Sequence, residues 1–367
     1  MRSRAAGALA ALGIAMSLTL GLVEPAPVTA APLAVAGPPA QPSGADHQVN
    51  AAFRLGGKTV AQSFAYDNAT NLIYTAQVDS NRNAEKQGDL LITRICNSGT
   101  SRQFGTIHLR DFGHGTSLGV EPVQRDAARR NCPAKPADAY LWLEVDSQPN
   151  SEGRGCGKKL ARIRYHSGWT YTYSDGAITV SDGRGKPVDG DARVFDPLSG
   201  ATMVSPVYDP STDQVLVHYF RDHTWTYALF DRSDLLTHGD EATDLLAPGL
   251  AAPSPSEPDK TKKEYFQGVA FSGDWIYTLV GYRDRAITRI TAFKTDGTSV
   301  SSAVVSAAVH QKLTRTYGTY EPEGMAVRIL ADGTPRLRWG MSVGKSGISK
   351  GRFNRKLVIF EKAAPRA

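Results

Sequence analysis

Short stretches that mix apolar with small residues recur five times along the chain and align without gaps. They are QSFAYD (Gln62 to Asp67), TSLGVE (Thr116 to Glu121), VSPVYD (Val204 to Asp209), QGVAFS (Gln267 to Ser272) and EGMAVR (Glu323 to Arg328). The second position is always small: Ser63, Ser117, Ser205, Gly268 and Gly324. Each hexamer is followed by a second apolar run, namely Leu72 to Gln77, Tyr140 to Glu144, Val215 to Phe220, Trp275 to Val280 and Leu337 to Met341. Asp67-Asn68, Asp209-Pro210, Gly273-Asp274 and Asp332-Gly333 supply turn chemistry in between. Every unit therefore begins with a predicted β-hairpin. Asp89 to Ile95 and Trp225 to Phe230 read as further strands.

The repeat starts lie about 54 to 88 residues apart, room for four short strands and their loops. That spacing predicts an all-β chain folded as a five-bladed β-propeller. The invariantly small position fits innermost strands converging on an axis, where a bulky side chain would meet its neighbours. The longest interval holds a Gly/Asp-rich stretch, Ser174 to Asp191, read as turns and an insertion. The Pro/Ser/Lys-rich segment 252–263 reads as a surface connector.

The chain ends change which residues belong to that fold. Arg2 and Arg4 precede an apolar run from Ala5 to Leu22, and Val28-Thr29-Ala30 offers small residues where a signal peptidase reads. Residues 1–30 are expected to be a signal peptide, 31–48 a disordered Pro/Ala/Gly-rich tail, and 49–363 the propeller. No later segment is apolar enough to be a transmembrane segment. The expected product is secreted and monomeric. Without Arg2, Arg4 and Glu24 the formal charge of +6 falls to +5. This mild positive field suits an anionic wall polymer or serves solubility. There is no basic helix and no aromatic-plus-basic motif, so no nucleic acid partner is expected.

Cys96, Cys132 and Cys156 allow one disulfide in an oxidising compartment. Cys132 with Cys156 is the favoured pair, closing a loop worth about 3 kcal/mol by chain entropy; the other pairings stay open. None of the three has zinc-type spacing.

Candidate chemistry gathers at the first hexamer position, which would face one mouth of the channel. Gln62, Thr116, Gln267 and Glu323 are polar there, and Val204 is the exception; His114 and Glu321 lie close by. Gln62, His114, Gln267, Glu321 and Glu323 are thus the expected ligand-binding residues, with amides and carboxylates suited to sugar hydroxyls. The plainer alternative is a set of polar axis residues bonded to one another and to trapped water. Cleavage would need paired carboxylates, for which Glu121 and Glu144 are further candidates, or a base such as His114 beside Arg283 or Lys345. No catalytic residue, cofactor or metal site is identified, and whether the channel holds a cation stays open.

Several motifs read as structural. Gly115 to Gly119 matches the hydrolase nucleophile pattern, but its Ser117 lies inside a repeated strand. Gly153 to Lys159 looks phosphate-binding yet lacks the full loop signature and reads as a flexible basic turn. His108, His114, His218 and His223 have no third ligand at a recognisable spacing. Asn68-Ala69-Thr70 is a glycosylation acceptor or a turn. Trp169, Tyr171 and Tyr173 alternate on a strand, and packing against the neighbouring blade is expected in preference to sugar stacking.

These hexamers, together with Gly88-Asp89-Leu90, Phe112 to Gly115, Tyr140 to Val145, Lys159 to Arg162 and Tyr320 to Met325, resemble the propeller shared by teichoic-acid biosynthesis protein C and phage receptor-binding proteins, with helveticin-type bacteriocins more distant. The resemblance implies a five-bladed propeller whose partner is a cell-wall polysaccharide or teichoic acid. The alternative is a glycan-cleaving hydrolase or lyase using the same mouth.

Overall fold

The structure, a computed structural model, describes residues 42–50, 52–81, 83–97, 102–123, 132, 139–246, 250–251, 253, 265–283, 287–344 and 356–362. The expected signal peptide, Lys345 and most of the segment 252–263 lie outside the described residues.

The fold is a five-bladed β-propeller. The first blade runs outward from the axis as Ala61–Asp67, Leu72–Val78, Leu90–Cys96 and Gln103–Arg110. The second is Gly119–Pro122, Ala139–Val145, Lys159–Arg164 and Ala192–Phe195. The third is Thr202–Asp209, Gln214–Arg221, Thr224–Asp231 and Leu250–Ala251. Tyr265–Ser272, Trp275–Gly281, Thr288–Lys294 and Ser301–Val304 form the fourth. The fifth combines Thr319–Ile329, Pro335–Gly344 and Lys356–Lys362 with Asp46–Gln48 from the other end of the chain. Within each blade the ladders are antiparallel.

Alternation along the middle strands explains why they read as continuously apolar. Leu72, Tyr74 and Ala76 face the second blade, whereas Ile73 faces the fifth. Val215, Val217 and Tyr219 face the second blade and Leu216 the fourth. Both faces of each blade are buried against a neighbour, so alternation does not produce a polar face. The five apolar clusters among the described residues are five wedges, one between each pair of adjacent blades.

One inserted hairpin departs from simple repetition. Thr170–Ser174 and Ala177–Ser181, which follow the third strand of the second blade, cross back and extend the first blade, with Thr170–Ser174 parallel to Gln103–Arg110. Tyr171 and Tyr173 are buried in the wedge between these blades, and Trp169 is partly buried against it. Packing, rather than an open aromatic ridge, is what they do. Asn68-Ala69-Thr70 is a tight turn in which Asp67 accepts from the Ala69 and Thr70 amides and the Thr70 hydroxyl.

The tail expected to be disordered as far as residue 48 is ordered at its end. Asp46–Gln48 pairs with Lys362, Glu361 and Phe360. Asp46 forms a buried 2.9 Å ion pair with Lys362 and accepts from Trp339 Nε1 at 3.1 Å. Ladder hydrogen bonds and one buried ion pair hold this strand, and neither leaves an apolar period in the sequence.

The favoured disulfide is also corrected. Cys96 pairs with Cys132 at a Cα separation of 5.7 Å, and Cys156 is free and buried. Loop entropy did not decide this, because the chain-entropy cost of closure changes by only about 0.4 kcal/mol between the two loop lengths. Cys156 lies in a small hairpin with Gln148–Pro149 instead, beside Glu144.

Candidate functional site

In four blades the innermost strand carries a β-bulge at the first position of the repeated hexamer. The register slips between Ala61 and Ser63, Thr202 and Ser205, Phe266 and Gly268, and Pro322 and Met325. Gln62, Val204, Gln267 and Glu323 are thereby released from regular pairing. A bulge bends its strand and re-aims a side chain. In the second blade the strand starts only at Gly119, and Thr116 and Ser117 spend their hydroxyls on the third blade.

The small residues beside these positions close the axis. A Cβ on Gly324 would lie 2.7 Å from Ser63 Cα, and one on Gly268 would lie 3.0 Å from Gly324 Cα. Gly324 also has φ 74°, a left-handed conformation that favours glycine. Ser63 Oγ donates to Gly115 O at 2.6 Å, Ser117 Oγ donates to Pro206 O at 2.9 Å, and the Thr116 and Ser205 hydroxyls are 3.0 Å apart. Ser117 is thus a buried packing residue with its hydroxyl engaged, not a nucleophile.

Polar groups rise from this floor on two sides. On the fifth-blade side Glu323 is 3% exposed, and burial followed by the charge of Glu321 raises its carboxyl well above the usual range; Arg283 and Arg154 oppose that shift. With the Gln267 amide oriented to face acceptors, Nε2 donates to Glu323 Oε2 at 3.3 Å and to Pro322 O at 3.1 Å. Glu321 Oε2 accepts from Arg283 Nε and Nη2 at 3.0 and 2.9 Å. Gln62 is buried on the first blade, next to Ser63 of the ring.

On the second-blade side His114 is half-buried and its Nδ1 has no hydrogen-bond partner among the described residues. Burial, assisted by the positive charge of Arg154, lowers its pKa to about 4, so the imidazole is neutral at ordinary pH. Arg154 acts electrostatically on both His114 and Glu323 and links the two sides. Behind His114 lies Glu144, buried on the second strand of its blade, with its pKa pushed up to about 7 by burial. Its Oε1 accepts from Gly115 N and its Oε2 from Gly157 N, each at 2.6 Å. Cys156, beside it, is raised to about 12 by burial and then by Glu144, which leaves the thiol unreactive.

Of the sequence-derived residues, the fold thus brings Gln267, Glu323 and Glu321 into one cluster, sets Gln62 and His114 against adjacent parts of the same ring, and pairs Glu321 with Arg283. Glu121 is elsewhere in role: it accepts two 2.8 Å hydrogen bonds from Arg162 and one from Trp142 Nε1 at 3.0 Å, with Arg232 at 3.6 Å. His218 is a core residue stacked on Trp225 and Phe266, its pKa lowered to about 3 by burial. His108 pairs with Asp79 at 3.0 Å. Among the described residues no three His, Cys, Asp or Glu side chains are placed to hold a metal. No described helix is long and apolar enough to cross a membrane.

Sequence reasoning named Glu144 only as a further candidate carboxylate for cleavage and did not single out Arg154. The glycines Gly113, Gly115, Gly155 and Gly157 were the available signal, but the stretch from Gly153 to Lys159 read only as a flexible basic turn. The anion bound by this glycine-rich loop is the chain's own carboxylate.

Comparison with known proteins agrees with this architecture. Residues 60–127 match the model of the phage 5-bladed β-propeller receptor-binding platform domain. The resemblance read from the hexamers holds. A putative major teichoic acid biosynthesis protein C of Bacillus subtilis (strain 168) is 23% identical over 302 residues, covering 80% of this chain and 58% of that protein. The tail fibre of Staphylococcus aureus phage P68 superposes with a TM-score of 0.54 at 16% identity, over 87% of this chain and 53% of the fibre. The chain therefore spans little more than half the length of either, and the tail-fibre likeness bears on the fold alone.

Proposed function

We propose that this chain is a secreted propeller that binds a cell-wall glycopolymer, teichoic acid or a related polysaccharide, at the polar mouth formed by Gln62, His114, Gln267, Glu321 and Glu323. The observation that carries the reading is the unpartnered, buried Nδ1 of a neutral His114 in the same mouth as the buried Glu323 and Gln267. Buried polar groups of this kind normally have partners, and a hydroxyl of a polyol or sugar can supply one. Arg154, paired with Glu85 and Glu152 at 3.4 and 3.7 Å, and Arg283, paired with Glu321, are the basic side chains beside the mouth that an anionic chain would meet. The likeness to receptor-binding propellers supports a surface glycan as the partner class.

The test is retention on purified Gram-positive cell walls with and without their teichoic acid. Retention on intact walls that drops at least tenfold on stripped walls is the expected result; equal retention on both removes teichoic acid as the ligand. One observation favours a second reading, cleavage of the polymer. A buried Glu323 held toward its protonated form has the character of a general acid. New reducing or unsaturated ends released by the wild type and abolished in Glu323→Gln would establish it, and no product from either protein would dismiss it.

A further inference from the structure

We infer that Glu144 is the positioning residue of the mouth: its carboxylate locks the loop that carries His114 to the loop that carries Arg154, so that both side chains are presented to a ligand together. The inference rests on the binding reading above and deepens it by assigning what holds one wall of the site.

The geometry is that of a carboxylate enclosed by two glycine loops. Oε1 takes the Gly115 amide and Oε2 the Gly157 amide, and the His114 and Thr116 amides also turn toward the group. Both loops are shaped around it. A Cβ on Gly113 would lie 2.2 Å from Glu144 Cδ, and a Cβ on Gly157 would lie 2.6 Å from Glu144 Cβ. Gly115 has φ 78°, which turns consecutive amides toward one point. The clasp reaches the rest of the ring as well. Gly115 O accepts from Ser63 on the first blade, and Gly157 O accepts from Val204 N at the bulge of the third blade. One side chain thereby sets two loops and touches the register of both flanking blades. Charge-assisted hydrogen bonds to backbone N–H groups are stronger than neutral ones, so the clasp is tightest when Glu144 is ionised.

The titratable and charged groups facing Glu144 are His114 and Cys156, with Arg154 and Glu152 acting on them. His114 at about 4 and Cys156 at about 12 do not change charge between roughly pH 5.5 and 9, whereas Glu144 at about 7 does. Glu323 shares Arg154 with this site from across the mouth.

The experiment is an NMR titration of the full chain from pH 8.5 to 5.5, in wild type and in the Glu323→Gln background, alongside wall retention at each pH. The Gly115 and Gly157 amides should move together with one midpoint near pH 7 in both backgrounds, and wild-type retention should fall several-fold toward pH 5.5. Glu144→Gln should abolish the shared midpoint and lower retention at pH 8 about tenfold, with little remaining pH dependence. Amides that titrate separately, or not at all, overturn the inference, and the wild-type titration alone decides this without any variant having to fold. A folded Glu144→Gln protein with wild-type retention and wild-type pH profile overturns it too. If the wild type does not bind walls, the binding reading fails by itself, and the paired amide titration still decides whether Glu144 locks the loops.

Discussion

Two buried glutamates of the second blade, Glu121 and Glu144, have opposite surroundings. Glu121 is held by side chains, with Arg162 in a two-bond fork, Trp142 Nε1 and the more distant Arg232 of the third blade. Glu144 is held by backbone amides from two glycine loops. The first arrangement neutralises charge with charge and fastens one blade to the next. The second keeps the carboxylate short of a counter-ion, so burial lifts its pKa to about 7, and its grip is exerted on loops rather than on a blade face. Burial and residue type are the same in both; the kind of donor separates a fastening from a positioning role.

The largest effect is expected at Glu121. Glu121→Ala leaves the buried Arg162 without its carboxylate and should cost about 3–5 kcal/mol in denaturant unfolding. Retention on walls by the protein that remains folded should be unchanged. A loss of retention without a loss of stability would mean that Glu121 serves the mouth after all.

A smaller effect concerns pH. A carboxyl whose folded pKa is raised makes the folded state bind its proton more tightly, so stability rises as pH falls through about 7 toward 4.5, by up to about 3 kcal/mol for Glu144. His114 acts in the other direction: its folded pKa of about 4 favours the neutral ring, and stability is lost as pH falls below the unfolded value near 6.5. The unfolding free energy of wild type relative to Glu144→Gln isolates the first effect. That difference should grow in favour of wild type between pH 8 and about 5, and a difference that stays flat would show that Glu144 does not titrate near neutrality.

The smallest effect is expected at Glu323→Gln. Exchanging a carboxyl held toward its neutral form for a neutral amide should leave wall retention within about threefold. A tenfold loss there would mean that a ligand meets an ionised Glu323. His114→Ala, which removes a ring with a free nitrogen, should lower retention more than Glu323→Gln does, and the reverse order would move the centre of the site to the fifth blade.

The chain's own residues determined the repeat and its consequence. Five aligned hexamers with a small second residue close around a common axis, where a Cβ on Gly268 or Gly324 would meet the backbone of a neighbouring inner strand. The polar first position was equally legible, and the bulges explain its aim. Pairing choices that join distant segments were not legible. Asp46–Gln48 completes the fifth blade through ladder bonds and the Lys362 ion pair. Cys132 reaches Cys96 in the first blade and not the Cys156 nearer in sequence. Glu121 and Glu144 look alike in a strand pattern, since period-2 alternation gives a residue's side of the sheet and not the donors that will meet it. Those donors come from loops and blades remote in sequence, and only the closed ring brings them to each carboxylate.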